Sequence, residues 1–94
     1  YVFVELKELK NGWERNRIMK EINTLGVPCY SGACPEVYLE RAFANTDFRP
    51  AERLPMARRL GETSLAFLVH PTLTDAEIDK TCKTADSVLA LASR

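Results

Sequence analysis

The sequence predicts an α+β fold in which a small three-stranded sheet has helices packed on one face. Apolar runs of strand length occur at three places, and the clearest of them is Ser64–Val69. Two longer stretches, 14–25 and 75–92, place apolar residues at the spacing of one helix face. With a short helix before the third strand, the element order is β-α-β-α-β-α. That order is typical of a sheet layered against helices.

The chain begins with a predicted strand and a predicted helix. Residues 1–7 are rich in the aromatic and β-branched side chains that strands favour, and a Lys-Asn-Gly turn signal follows them. In the helix predicted over 14–25, one face carries Ile18, Ile22 and Leu25. Gly26 is expected to end this helix, because glycine adopts the left-handed conformation after the last helical residue without strain.

A short second strand and a mostly irregular segment come next. Pro28 makes the extended residues 27–30 an edge strand or a strand start, since proline has no N–H for a neighbouring strand. Residues 36–43 are predicted to form one or two helical turns. Residues 44–53 are polar and irregular, and Pro50 interrupts them.

A short helix and the third strand follow. Pro55 suits the first turn of a helix predicted over 54–60, because its missing N–H would have no partner there. Gly61 is expected to close that helix. The continuous apolar run 64–69 predicts a strand covered on both sides, and His70-Pro71 stops it.

The last helix is predicted over 75–92. Thr74 and Glu77 have the spacing of a capping box, and Leu73 and Ile78 flank them as a hydrophobic staple. The helix has one apolar stripe, composed of Ile78, Cys82, Ala85, Leu89 and Ala92.

Size and charge narrow the class of protein. Ninety-four residues of ordinary composition predict one domain, 1–94. Thirteen basic and thirteen acidic residues cancel, so no charge favours nucleic acid or a membrane surface as a partner. No membrane span or secretory signal pattern is visible, and a cytoplasmic location is expected. Because Tyr1 already lies in an apolar strand, we expect a piece of a longer protein with a former interface on its surface.

The residues alone predict neither a metal site nor a catalytic centre. Cys29, Cys34 and Cys82 form no disulfide framework, and reduced thiols are the simplest interpretation. A zinc site would need Cys82 and His70 as ligands in addition to Cys29 and Cys34. These four residues lack the close sequence spacing of zinc ligands, so no metal is expected. Neither a glycine-rich phosphate loop nor a dinucleotide-binding fingerprint is present.

Arg53 to Asp79, RLPMARRLGETSLAFLVHPTLTDAEID, resembles the C-terminal signature of the DegT/DnrJ/EryC1/StrS sugar aminotransferases. In that family a Pro-x-Ala helix leads into a strand that ends in a His-Pro step, and a Thr-initiated acidic helix follows. Pro55-Met56-Ala57, His70-Pro71 and 73–78 supply these features here. The earlier run Arg15–Gly26 (RNRIMKEINTLG) resembles the family's helix that ends in a Gly-Ile step.

The resemblance implies the C-terminal small domain of a fold-type I enzyme that uses pyridoxal phosphate (PLP). Such enzymes transfer an amino group, usually from glutamate, to a keto sugar of a nucleotide sugar in surface-polysaccharide or deoxyaminosugar synthesis, and they form homodimers. The chemistry needs a lysine in a desolvated pocket. The five lysines here lie at turns or on helix surfaces. PLP is therefore expected to bind a missing N-terminal domain, and the 94 residues alone should be inactive.

The resemblance also indicates candidate substrate contacts. Family members often carry Pro-Leu-His after the Gly-Ile strand, facing the active site, and Tyr38 stands here at the place of that histidine. A phenol can hydrogen-bond to a sugar hydroxyl or a phosphate, and its ring offers an apolar face. Tyr30 and Ser31, at the end of the second strand, are further candidates. Arg53 is a candidate phosphate contact.

Structural interpretations stay open beside these functional ones. Tyr38 also suits the wall of a fold, Arg53 suits a solvated helix face, and His70 suits a structural hydrogen bond as well as a general base. Two other classes remain for the whole chain. One is a free-standing β-α-β regulatory module that holds a small ligand between sheet and helices, and the other is a structural interaction domain.

Overall fold

The computed structural model describes all residues from 1 to 94, and the elements follow one another in the predicted order. The strands and α-helices are β1 (Val2–Phe3), α1 (Arg15–Thr24), β2 (Cys29–Tyr30), α2 (Pro55–Thr63), β3 (Ser64–Phe67) and α3 (Asp75–Ala92). Short 3₁₀ turns form at Leu6–Glu8, Val37–Leu39 and Arg41–Phe43. The α+β class is confirmed.

The sheet is antiparallel, and β3 is its central strand in the order β1-β3-β2. Leu65 of β3 pairs with Val2, and Phe67 pairs with Cys29. Because side chains alternate between the two faces of a strand, these four side chains share one face. That face meets the helices, since α1 packs against β2, β3 and α3. The opposite face carries Phe3, Tyr30 and Ala66.

One apolar cluster fills the space between the sheet and the helices. Its buried members are Val4, Leu9, Ile18, Ile22, Val27, Cys29, Leu65, Val88 and Ala92. Ile18, Ile22 and Leu65 are fully buried, and burial of each such side chain stabilises the fold by about 1.5–3 kcal/mol. Leu25 does not join the cluster although it was predicted on the same face as Ile18. The regular part of α1 ends at Thr24, so Leu25 leaves the helical periodicity and is half exposed.

The first strand is shorter than the predicted 1–7. After β1 the backbone forms the 3₁₀ turn Leu6–Glu8, and Leu9 then makes an antiparallel bridge with Ser93. The Lys10 N–H donates to the carbonyl of Ala92 at 2.8 Å, and the Arg94 N–H donates to that of Glu8 at 2.9 Å. The residues after β1 therefore bind the end of α3 instead of extending the sheet.

Gly61 does not close α2, which corrects the sequence prediction. The helix continues to Thr63 and leads directly into β3. A Cβ atom at Gly61 would lie 2.3 Å from Cγ of Pro35, whereas real Cβ atoms essentially never approach a neighbour closer than 3.0 Å. The glycine is present because Pro35 packs on the helix at that point. Gly26, in contrast, has φ +80° and ends α1 as predicted.

The third strand also ends earlier than predicted. It stops at Phe67, and Leu68 and Val69 are exposed, Val69 to 91%. Ser64 and Leu65 point to opposite faces and are both buried, whereas Ala66 and Phe67 are half-buried, so β3 is covered on both sides at its start only.

Helix α3 has the predicted bounds, and its capping box is confirmed. The Thr74 hydroxyl accepts from the Glu77 N–H, and the Thr74 N–H donates to the Glu77 carboxylate at 2.7 Å. The apolar stripe is buried at its end, at Ala92, and Val88 beside the stripe is buried too. Its first half is open, because the sheet does not extend over Ile78.

The molecule is flat and open for its size. Its radius of gyration is 16.0 Å and its extents are 48 × 37 × 18 Å, whereas a compact domain of this length has a radius of gyration of about 12 Å. Its accessible surface is 6969 Å², compared with about 5,500 Å² for a folded monomer of this mass. None of the helices is long and apolar enough to cross a membrane.

Candidate functional site

The segment between β2 and α2, residues 31–54, contains or adjoins every residue predicted as a substrate contact. It forms no strand, and its only regular structure is two 3₁₀ turns. The segment begins at Ser31, whose carbonyl accepts from the Ser64 hydroxyl at 2.6 Å. Gly32 has φ +91°, and a Cβ atom there would lie 2.7 Å from the ring of Tyr1. Glycine is therefore required for this exit from the sheet on both grounds.

Four residues fasten the segment to the start of α2, and we call them the clasp: Glu36, Tyr38, Arg53 and Leu54. The Arg53 guanidinium donates to both oxygens of the Glu36 carboxylate, from Nε to Oε1 at 2.9 Å and from a terminal nitrogen to Oε2 at 2.5 Å. The Tyr38 hydroxyl donates to Glu36 Oε1 at 2.7 Å. That hydroxyl also accepts from the Leu54 N–H at 2.8 Å.

The clasp caps α2 from outside the helix. Leu54 is the residue before the first helical turn, and it has no polar side chain that binds the free N–H groups there. The Tyr38 hydroxyl satisfies one of these N–H groups, so a residue 16 positions earlier does part of the work of a cap. The Pro35 ring on Gly61 fastens the same segment further along α2.

The two partners of the Glu36 carboxylate favour its ionised form. The hydrogen bonds from Arg53, and then that from Tyr38, lower its pKa from 4.5 to about 2. The pKa of the Tyr38 hydroxyl is raised, first by its removal from water and then by the hydrogen bond to Glu36. The phenol therefore keeps its proton and donates it in a hydrogen bond to the carboxylate.

The structure separates the four predicted contacts into two groups. Tyr38 and Arg53 both bind Glu36, so their polar atoms are engaged within the chain. Tyr30 is half exposed on the face of the sheet that has no helices, and no protein group binds its hydroxyl. The Ser31 side chain is exposed and has no hydrogen-bond partner. The roles of all four residues as substrate contacts stay predictions.

Glu36 was not singled out from the sequence. It is one of thirteen acidic residues, and its partner Arg53 lies 17 positions later beyond an irregular stretch. The Pro35-Glu36 step offered no local signal. Among the acidic residues, however, Glu36 alone is buried.

Two further arginines, both in α2, and His70 also have partners within the chain. Arg58 pairs with Glu62 at 2.8 Å, and Arg59 pairs with Glu5 at 2.9 Å. His70 shares a hydrogen bond of 2.8 Å with the Thr72 hydroxyl, which is a contact within one turn. No three His, Cys, Asp or Glu side chains come together in a way that could hold a metal ion.

A second surface feature is an open apolar groove of about 350 Å³ along the first half of α3. The staple residues Leu73 and Ile78 both line it. The other apolar lining residues are Val2, Phe67, Leu68, Val69, Cys82 and Ala85. None of the main surface cavities is lined by Tyr30, Ser31, Tyr38 or Arg53.

Comparison with known proteins finds a match to part of an enzyme. The X-ray structure of the aminotransferase from Psychrobacter cryohalolentis matches 95% of this chain, with a TM-score of 0.89 and 57% sequence identity. The matched part is 22% of that protein's chain, so this chain spans about a fifth of the relative's length. No protein-family model matches the chain, and no curated protein matches it either.

Proposed function

We propose that this chain is the C-terminal small domain of an aminotransferase whose larger N-terminal domain lies outside the 94 residues. The observation that carries the proposal is the match of almost the whole chain to one part of the P. cryohalolentis aminotransferase. Identity of 57% over a shared backbone supports the same role for this part of the molecule. Membership of the DegT family, and a cytoplasmic location, belong to the same proposal.

The open shape supports a domain that packs on other polypeptide. Large apolar side chains are exposed on both sides of this flat molecule. Tyr1, which is 73% exposed, Phe3 and Tyr30 lie on the face of the sheet without helices, and Ile78 lies in the groove along α3. Exposed apolar patches of this kind mark protein interfaces. We assign them to contacts with the N-terminal domain and with the second subunit of a homodimer.

PLP is the cofactor that an aminotransferase requires for this chemistry. All five lysines of this chain are exposed. A PLP lysine needs a desolvated pocket, whereas the Lys83 ammonium pairs with Asp79 on the helix surface and that of Lys10 binds the Leu91 carbonyl in solvent. The proposal therefore places PLP in the N-terminal domain, and the 94 residues alone are expected to be inactive.

The proposed substrates are glutamate as amino donor and a keto sugar of a nucleotide sugar as acceptor. Segment 31–54, with Tyr30 before it, would form a wall of the substrate pocket against the N-terminal domain. Tyr30 and Ser31 offer hydroxyl groups without partners, and the clasp holds the Tyr38 ring in one place. These features suit hydrogen bonds to sugar hydroxyls and contact with an apolar sugar face.

Spectroscopy of the full-length protein tests the enzyme assignment. Purified with added PLP, it should show the visible absorbance of the bound cofactor, and glutamate should bleach that absorbance. The 94-residue chain treated in the same way should stay colourless. A full-length protein that never takes up PLP would rule out the proposed function.

The groove along α3 supports one alternative, a free-standing module that binds a small apolar ligand. Its volume of about 350 Å³ and apolar lining lie within the range of ligand sites. In that case the gene would encode little beyond these residues. A continuous coding sequence for a large upstream domain would exclude the module.

A further inference from the structure

The clasp is electrically neutral, although it contains the arginine that was the candidate phosphate contact. The Glu36 carboxylate faces the Arg53 guanidinium in a two-point contact, so their charges cancel. Arg58 of α2, the other arginine whose charge acts on Glu36, pairs with Glu62. An anion that approached Arg53 would meet a buried carboxylate within hydrogen-bond distance of the guanidinium, and the two negative charges would repel.

The hydroxyl of Tyr38 is likewise engaged. The hydroxyl donates its only hydrogen bond to Glu36, and its oxygen accepts one from the Leu54 N–H. An ionised phosphate has acceptor oxygens alone, so it needs donors. Tyr38 has no donor to offer it unless the bond to a carboxylate is broken.

From this charge and hydrogen-bond pattern, we infer that Glu36 is a specificity-determining and positioning residue. It makes the clasp a contact surface for the uncharged sugar of the substrate and not for the diphosphate. The inference rests on the proposed function, since it concerns the wall assigned above. Its basis is that Glu36 compensates the charge of Arg53, accepts a hydrogen bond from the Tyr38 hydroxyl and fixes both side chains relative to α2.

The test compares nucleotide sugars with the matching nucleoside diphosphates in the full-length protein loaded with PLP. Calorimetry would measure the affinities of UDP-glucose, dTDP-glucose and GDP-mannose, each beside UDP, dTDP or GDP, and the pair that the wild type binds best is then used. The wild type should bind the sugar conjugate more tightly than the bare diphosphate. The double variant Glu36→Gln/Arg53→Gln keeps the net charge and removes the ion pair.

In the double variant, affinity for the sugar conjugate should fall about five- to tenfold, the effect of one or two lost positioning contacts. Affinity for the diphosphate should stay within about twofold, because the inferred wall does not touch it. The single variant Glu36→Gln should also lose affinity for the conjugate. Glu8→Gln removes an equal charge from an exposed side chain that lies outside segment 31–54 and has no ion pair, and it should behave as wild type.

Three results would overturn the inference while leaving an aminotransferase in place. In the first, the double variant loses diphosphate and conjugate affinity equally, which would make Arg53 a phosphate contact. In the second, neither affinity changes. In the third, the wild type does not distinguish the conjugate from the diphosphate. If the wild type binds none of the six ligands, the nucleotide-sugar assignment fails and the inference fails with it.

Discussion

The sheet with its helices and segment 31–54 are stabilised by different forces. Around β3, side chains such as Ile18, Ile22 and Leu65 are fully buried in one apolar cluster. In segment 31–54 the only buried side chain is the carboxylate of Glu36. The segment is attached through the clasp, through the close packing of Pro35 on Gly61 and, at its start, through Ser31 and Gly32.

The sheet with its helices is a fixed framework, whereas segment 31–54 is a surface that single substitutions can change. Apolar burial is not directional, so the cluster needs no particular polar partner. Because its side chains are closely packed, a cavity in the cluster is costly. The clasp depends on a few oriented hydrogen bonds, and a single substitution changes what the segment presents. A segment held in this way suits a site that varies among related proteins on a constant framework.

The largest effect is expected where the framework is tightest. Leu65→Ala removes a fully buried side chain between the sheet and α1, and it should lower the free energy of unfolding of the chain by about 2–5 kcal/mol. Denaturant unfolding of both proteins measures the loss. Leu91→Ala serves as the control, since that leucine is exposed in α3, and it should change stability by less than about 0.5 kcal/mol. Equal losses in the two variants would contradict the assignment of the core.

A second substitution, at Gly61, tests the contact between segment 31–54 and α2. In an exposed helix interior, Gly→Ala stabilises by about 0.5–1 kcal/mol. Gly61→Ala should instead destabilise the chain, by about 1–3 kcal/mol, because the new methyl group would occupy the space of the Pro35 ring. In a Pro35→Gly background that penalty should disappear. A double-mutant cycle measures the coupling between the two sites. Additive effects would show that the Pro35 ring does not contact α2 at Gly61.

The framework could be predicted from the sequence because its signals are local. The bounds of α3 follow from the Thr74 and Glu77 capping box and from a regular apolar stripe. Gly26 was correctly interpreted because a helix end and a positive φ are decided within a few residues.

The segment could not be predicted in the same way, because its contacts join distant positions. Gly61 has the appearance of a helix end, and its real reason is Pro35, which lies 26 residues earlier. Glu36 looks like any surface acid until Arg53 is folded back on it. Tyr38 and Arg53 were found from a family resemblance, but their common partner was visible only in three dimensions.

The smallest of these effects concerns the clasp alone and depends on pH. In the folded chain the pKa of Glu36 is about 2, below its ordinary value of 4.5. Above about pH 4.5 the carboxylate is ionised in both folded and unfolded states, so its stabilising effect is complete. As the pH falls from there towards about 2, the unfolded state takes up a proton first, and the stabilising effect is progressively lost.

Glu36→Gln removes that titration, so the difference in unfolding free energy between wild type and variant should be constant above about pH 5 and should shrink towards about pH 2. Denaturant unfolding at a series of pH values measures the difference. The effect should be modest because half of the Arg53 side chain is exposed and water screens the pair. As a control, Glu52→Gln removes an exposed carboxylate without an ion pair, and it should change the free energy of unfolding by less than about 0.5 kcal/mol. If the wild type and Glu36→Gln differ by the same amount at every pH, the ion pair between Glu36 and Arg53 does not stabilise the folded chain in solution.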